Sequence, residues 1–483
     1  MIKGGIMKKK KLKISGIFRI VFSIITVLIT VLLVLNILKL NVVPDKYLII
    51  FVLAEVILNL LIIILFLFGK KKVSFIIGII LFSLLSAFNI VLNTYVKTTD
   101  KFIEKGFNND SITVSTEYVL LTSISNSVND ADSLTPDTNI YSHRFSKNID
   151  LAEKKLGNYK YIKTDSVSTV LYEMNTNPNT YLLISKGNYD YLFSSAIEFN
   201  KDNYKIIKDF EVKTKEKKNT KVKSSYTIYL NGLDFTGIMR DFNMLITVNT
   251  KKKKIVMTPV LRGYYVDVPG YNTKDTLMCL GSFDSNVSRE ALEKLFNTKI
   301  DYTVNVNTNS LVKVVDSLGG IEFCSDYSFK TTHALVVNSY DDSKGKKLTV
   351  EKGCRNYNGI EILTISRERL NLKNNERGRI ENCRKILDSI VKKTLSTSTL
   401  TNYSKVLNSY SDLYTTDMNR KVISNLFKSL IEDYSGYEIV TQSPDGTDGK
   451  AMGHLGTQEV GVTFPNMDEV NAASKVINDT LKD

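Results

Sequence analysis

Tyr226-Thr227-Ile228-Tyr229-Leu230-Asn231-Gly232-Leu233-Asp234 opens the folded core of this 483-residue chain. Its β-branched and aromatic residues favour a strand, and Asn231, Gly232 and Asp234 bring that strand to a turn. A second strand is expected over residues 243–248, then a turn at Asn249, Thr250 and a run of lysines, then a third strand over 254–260. Strands and turns at this spacing predict a central sheet. Helical periodicity over 288–296 and 308–318, the latter closed by Gly319-Gly320, supplies helices to cover it. The expected fold is an α/β or α+β domain over residues 226–400, with a helical and strand extension over 401–483.

Upstream, residues 212–225 (V-K-T-K-E-K-K-N-T-K-V-K-S-S) have no apolar periodicity and predict an exposed basic linker. Before it, residues 98–211 are polar, with short apolar runs at 112–114, 119–121 and 181–184 and helical stretches at 149–155 and 167–173. That mixture predicts a small α/β accessory domain. It holds no cluster of acid, base and nucleophile, so a spacer or partner-docking role is expected of it.

Residues 17–40, 47–68 and 73–95 are each apolar over about the 20 residues a helix needs to cross a bilayer. Arg19, Lys39 and Glu55 are the charges within them. Lys8 to Lys11 and Lys13 precede the first span, Lys70 to Lys72 separate the second from the third, and residues 41–46 are nearly uncharged. The positive-inside rule then makes the N-terminus cytoplasmic and puts everything after about residue 96 outside the cell. Residues 1–97 are thus a basic tail with three transmembrane helices, and the protein is a multi-pass resident of the cell membrane.

The net charge of +14 ordinarily raises nucleic acid as a partner, but this topology excludes it. Anionic lipid of the bilayer and polyanionic wall polymers suit the basic segments better. Cys279, Cys324, Cys354 and Cys383 show no C-x-x-C spacing, so zinc is a poor reading; outside the cytoplasm a disulfide is permitted, and Cys324 with Cys354 is one conceivable pair. His143, His333 and His454 stand apart from the motifs and receive no role.

The densest chemistry lies at residues 366–379, S-R-E-R-L-N-L-K-N-N-E-R-G-R, with Arg367, Arg369, Arg377 and Arg379 placed around a loop. On an extended segment Arg367 and Arg369 share a face, and paired guanidiniums match the oxygens of a pyrophosphate. A solvated surface loop is the plainer alternative. Asp234 and Asp241, at facing strand ends, are either turn formers or carboxylates for Mg²⁺. Arg262 follows the third strand, and Arg240 precedes Asp241.

Taken in order, Gly232-x-Asp234, Arg240-Asp241-Phe242-Asn243, Arg262-Gly263-Tyr264-Tyr265, Leu311 to Gly320, Arg367-Glu368-Arg369 and Arg377-Gly378-Arg379 resemble the LytR-CpsA-Psr (LCP) family, most closely its capsule-associated CpsA branch. The resemblance implies a membrane-anchored extracellular phosphotransferase. Such a protein takes a glycopolymer from a polyprenyl-pyrophosphate carrier and attaches it to peptidoglycan, with wall or capsule assembly machinery as further partners. It implies Mg²⁺ at Asp234 and Asp241, and a pyrophosphate clamp of Arg240, Arg262, Arg367, Arg369 and Arg379. Arg262, Arg369 and Asp241 are the expected catalytic residues, and apolar helices such as 311–318 are expected to line a lipid cavity. Four positions depart from the family pattern: Met239 and Gly263, where Arg and Asp are usual, and Thr276 and Cys279, where a basic residue and His are frequent. They motivate an alternative, a non-catalytic module that binds the lipid carrier and regulates polymer assembly.

Overall fold

The computed structural model describes residues 14–482 apart from 70–71, 108–110, 145, 147, 196–198, 218–222, 235–238, 271–272, 283–284, 337–344, 395–413, 434–435 and 455–458. Lys8 to Lys13, Lys70 and Lys71 therefore lie outside the described residues. Two compact units result: residues 1–105 with 420–435, and residues 106–419 with 436–483.

The first unit contains α1 (Ile14–Leu40), α2 (Asp45–Leu67) and α3 (Lys72–Phe107), all long and apolar enough to cross a membrane. The third helix runs 12 residues beyond the expected end at residue 95. Glu55 is buried between the helices, where its carboxylate accepts from Thr30 Oγ1 (2.9 Å) and Asn89 Nδ2 (3.0 Å). Asn59 Nδ2 also donates to Thr30 Oγ1 at 3.0 Å. The charge inside the second span is thus turned toward polar side chains of all three helices rather than toward lipid. Arg19 closes one end, donating to the carbonyls of Phe66 and Gly69 at 2.9 Å each.

In the second unit, one sheet is built from β1 (Ser111–Ser123), β2 (Asn139–His143), β3 (Lys160–Thr164), β4 (Tyr181–Ser185) and β5 (Tyr204–Lys217), in the order β3-β2-β4-β1-β5. The helices α4 (Ile149–Leu156), α5 (Val167–Thr176) and α6 (Lys186–Ser195) accompany it. The linker expected from residue 212 is instead sheet as far as Lys217, because β5 pairs along the whole of β1. Alternating lysines on an edge strand read as solvated chain when the partner strand is not known.

The central sheet comprises β6 (Ser225–Leu233), β7 (Arg240–Asn249) and β8 (Lys254–Val260). After the short strands β9 (Tyr265–Asp267) and β10 (Lys274–Thr276) and helix α7 (Ser285–Leu295), β11 (Tyr302–Asn307) joins β6 in parallel. There follow α8 (Thr308–Ser317), β12 (Ile321–Ser325), β13 (Phe329–Ala334), β14 (Lys347–Val350), β15 (Gly353–Tyr357), α9 (Gly359–Arg367) and α10 (Asn375–Thr394). Asn307 and Asn358 cap α8 and α9 through capping boxes with Ser310 and Glu361. At Gly359 an added Cβ meets the Val312 carbonyl oxygen at 2.3 Å, so only glycine lets α9 approach α8 this closely. Cys324 and Cys354 face each other across β12 and β15 and form a disulfide.

Beyond α10 the chain continues as β16 (Tyr414–Thr416), α11 (Arg420–Asp433), β17 (Glu438–Thr441), β18 (Gly446–Met452), β19 (Glu459–Pro465) and α12 (Met467–Leu481). The central order is β16-β11-β6-β7-β8-β17, so both edges of the sheet come from the region expected as an extension. Val470, Ala473 and Ile477 of α12 share the main core with Tyr229, Leu245, Tyr264 and Leu292. Helix α11 belongs to the first unit. There Lys428 Nζ donates to Asp45 Oδ1 at 2.8 Å, and Arg420 pairs with Asp100 and donates to the Lys39 carbonyl at 3.2 Å.

Candidate active site

Antiparallel β6 and β7 are in register up to Gly232 opposite Phe242; the next pair is Leu233 with Arg240. Asp241 is the extra residue of this bulge, a device that re-aims a side chain at a strand end. Its Oδ1 accepts from Arg262 NH1, and its carbonyl accepts from Arg379 NH2 at 2.7 Å. Arg262 lies just past β8 and Arg379 in the first turns of α10, so three elements meet at the bulge.

Glu376 ties them together. Its carboxylate lies 3.3 Å from Arg262 Nε and accepts from Arg379 Nε at 3.1 Å and from Arg379 NH2. Burial pushes this carboxyl up, but Arg379, Arg262 and Arg369 outweigh it and hold Glu376 below the usual glutamate range. Burial likewise opposes the charge on Arg379, and Glu376 reverses that and raises its pKa. Arg369 is exposed beside this group and contributes to the field on Glu376. Glu376 was absent from the expected site. Its one sequence signal is the i, i+3 spacing to Arg379 within a helix that begins at Asn375, inside the stretch expected to be a loop.

The other expected residues are placed as follows. Asp234 is buried at the end of β6, its Oδ1 accepting from the Met239 amide at 3.1 Å. Arg240 does not join the group: it is 4% exposed and points inward, donating from Nε to Ser288 Oγ (2.8 Å) and from NH1 to Asn231 Oδ1 (2.9 Å). The bulge decides this, since residues 240 and 241 cannot both point to the open side. Arg367 is the last residue of α9, not part of an extended segment, and reaches the Val336 carbonyl at 3.4 Å. Arg377 is held by Asp445, just before the C-terminal ribbon β18–β19, and by Asp448 on β18. Glu368 is fully buried and accepts from Thr332 and from the Asn371 amide, so it braces a loop. Val315 of α8 and Leu318 just after it pack into a core cluster with Ile362 and Ile365, leaving Leu311 and Val314 partly exposed at its margin.

The departing positions all sit at contacts. Met239 and Met278 pack against the core of the five-stranded sheet, and Cys279 is buried within it. A Cβ on Gly263 meets Thr463 Oγ1 at 3.0 Å, where the ribbon crosses. Thr276 is buried beside Asp275, whose Oδ1 accepts its amide at 2.6 Å. Two histidines assigned no role converge here: His454 bonds to Asp275 Oδ2 through its ring and, at 2.9 Å, its amide, and the His143 ring centroid lies 6.5 Å from that of His454. Burial, with His454 adding to it, depresses the His143 pKa to about 3.

The LytR_cpsA_psr family profile matches residues 191–471. The chain belongs to the LytR-CpsA-Psr family. The teichoic acid–peptidoglycan transferase TagU of Enterococcus faecalis is 26% identical over 280 residues, 56% of this chain and 84% of TagU. Biofilm regulatory protein A of Streptococcus mutans is 26% identical over 201 residues, 38% of this chain and 48% of that protein. Among solved structures, TagV of B. subtilis aligns with a TM-score of 0.45 at 20% identity, over 54% of this chain and 98% of TagV.

Proposed function

We propose that this LCP protein transfers a glycopolymer, as its glycosyl phosphate, from a polyprenyl-pyrophosphate carrier to a hydroxyl of peptidoglycan at the outer face of the membrane. The observation that carries this reading is the convergence of Arg262 and Arg379 on Asp241 and Glu376 at the β7 bulge, with Arg369 exposed beside them. Transferase relatives such as TagU, which act on teichoic acid, support it.

In the proposed step the acceptor oxygen attacks the phosphorus that carries the sugar. A new P–O bond forms, the P–O bond of the pyrophosphate bridge breaks, and polyprenyl phosphate leaves with the electron pair. Arg262 and Arg369 oppose the charge that grows on the leaving phosphate, a role in which fixed donors contribute most. Arg379, buried and braced by Glu376, holds the Asp241 backbone in place, and Arg367 extends the cationic rim. Asp241, with its side chain 41% exposed, is placed to take the acceptor's proton. Asp234 and Asp241 offer hard oxygen donors at one strand-pair end and fit Mg²⁺, which takes one or two carboxylates and leaves positions for phosphate oxygens. An Mg²⁺ held there would offset charge on the pyrophosphate. Leu370, 62% exposed next to Arg369, gives the polyprenyl chain an apolar contact.

The outward orientation is supported from within the membrane unit. Helix α11 meets the Leu40 and Asp45 ends of α1 and α2, the side of the nearly uncharged link and opposite the end at which Leu67 closes α2 and Lys72 opens α3. Capsule polymers and the CpsA branch are the specific reading we favour, on the three spans and the added five-stranded sheet.

The test is phosphate release from a polyprenyl pyrophosphate by the full chain in detergent with Mg²⁺, beside Arg369→Ala and Asp241→Ala. Metal-dependent turnover lost in both variants supports the transferase. Tight lipid binding without turnover, weakened by Arg369→Ala, replaces it with the lipid-binding regulator.

A further inference from the structure

From β10 toward α7 the chain forms a short strap, residues 275–280, bonded to the segments that carry Arg240 and Arg262. Met278 lies at its centre and makes two backbone bonds. Its amide donates to the Arg262 carbonyl at 2.9 Å, and its carbonyl accepts from the Arg240 amide at 3.2 Å. Arg240 directly precedes Asp241, so one residue spans the two chain segments that present Asp241 and Arg262 to each other. Its neighbours are fixed on both sides: the Leu277 amide donates to the Tyr264 carbonyl at 2.8 Å, and Thr276 Oγ1 donates to Cys279 Sγ at 3.0 Å.

The Met278 side chain is partly buried. With Met239 and Cys279 it joins the cluster formed by Val167, Val170, Leu171 and Leu182 of the five-stranded sheet and its helix α5. The same strap is held at its start by Asp275, which is fully buried and takes the His454 ring and amide on one oxygen and the Thr276 amide on the other. Against His454 lies His143, at the end of β2 in the five-stranded sheet, itself fixed by Ser146 Oγ (3.2 Å) and Asn188 Nδ2 (3.3 Å). Two separate contacts, one apolar and one polar, thus run from the five-stranded sheet to a strap whose other face is the backbone of the site.

We propose that Met278 is a positioning residue through which the five-stranded sheet sets the spacing of Asp241 and Arg262, making that sheet a built-in control element of the active site. Close-packed interiors transmit displacement because no void absorbs it. A small shift of the sheet moves Met278 and, through its two backbone bonds, both site segments. Any ligand that reorients the five-stranded sheet therefore acts on the chemistry. The catalytic half of this inference rests on the transferase reading; the mechanical half does not.

The experiment uses the full chain in detergent, as wild type, Met278→Ala, Met278→Leu and Val167→Ala, the last placed in the sheet's own core. Hydrogen exchange is followed in peptides covering 239–242 and 275–280, and kcat and KM are measured on a polyprenyl pyrophosphate. Coupling predicts faster exchange in both peptides for Met278→Ala and Val167→Ala and recovery in Met278→Leu. It also predicts a fall in kcat of about tenfold or more for the two alanine variants, as expected when reacting groups are misplaced. Unchanged exchange in 239–242 in both alanine variants overturns the proposal, as does faster exchange with kcat held at the wild-type value. Faster exchange in the two alanine variants, alongside a wild type that never turns over donor, supports the coupling and overturns the transferase reading instead.

Discussion

The carboxylate of Glu376 lies 3.3 Å from Arg262 Nε, although 114 residues separate the two in sequence. That contact joins the first turn of α10 to the end of β8, and it makes Glu376 the brace on which both Arg262 and Arg379 depend.

Glu376→Gln is expected to destabilise the protein by about 3 kcal/mol at neutral pH, because it leaves the nearly buried Arg379 without its counter-charge. The sign with pH follows from the lowered carboxyl. Its stabilisation is fully present above the ordinary value of 4.5 and is lost as pH falls through the depressed folded-state value. Thermal melts of both proteins at pH 7 and at successively lower pH below 4.5 check this: the gap between them should close on acidification.

Arg262→Lys should behave as a loss, not as a conservative change. Arg262 addresses Asp241 from one nitrogen and Glu376 from another, which a single ammonium cannot do. Losing one charged hydrogen bond costs about 1.5–3 kcal/mol, so kcat/KM on a polyprenyl pyrophosphate should fall about 10- to 100-fold. A lysine variant within twofold of wild type would remove the fork from the mechanism.

Leu370→Ser probes the lipid contact. A buried leucine contributes about 1.5–3 kcal/mol, so KM for a long polyprenyl donor should rise about tenfold while a short-chain donor is little affected. Equal effects on both donors would separate Leu370 from the tail.

The Cys324–Cys354 bond closes a span of 30 residues. Removing it in a Cys324→Ser, Cys354→Ser double variant should lower stability by about 3 kcal/mol, read as a lower melting temperature matched by wild type under reductant.

Glu55→Leu removes the acceptor shared by Thr30 and Asn89 inside the helix bundle. Interhelical hydrogen bonds in membranes contribute about 0.6–2 kcal/mol each, so melting in detergent should shift down modestly, and Glu55→Gln should recover part of the loss. A leucine variant more stable than wild type would show that the polar cluster is not a packing device.

What the sequence determined by itself was every feature carried by local pattern. Span length and hydropathy specified three membrane helices. Alternation and turn residues specified β6, β7 and β8, and helical periodicity specified α7 and α8. Tertiary structure decided what depends on partners far along the chain. It made sheet of Val212 to Lys217 by pairing with β1, and gave β16 and β17 to the edges of the central sheet. It turned Arg240 inward while Asp241 faced Arg262, because a bulge, which no local pattern announces, separates their directions. It also brought Glu376 to Arg262 and His454 to Asp275. Propensity and periodicity act within a few residues, whereas a buried charge takes whichever opposite partner the packed chain brings within reach, and that choice exists only once the fold has formed.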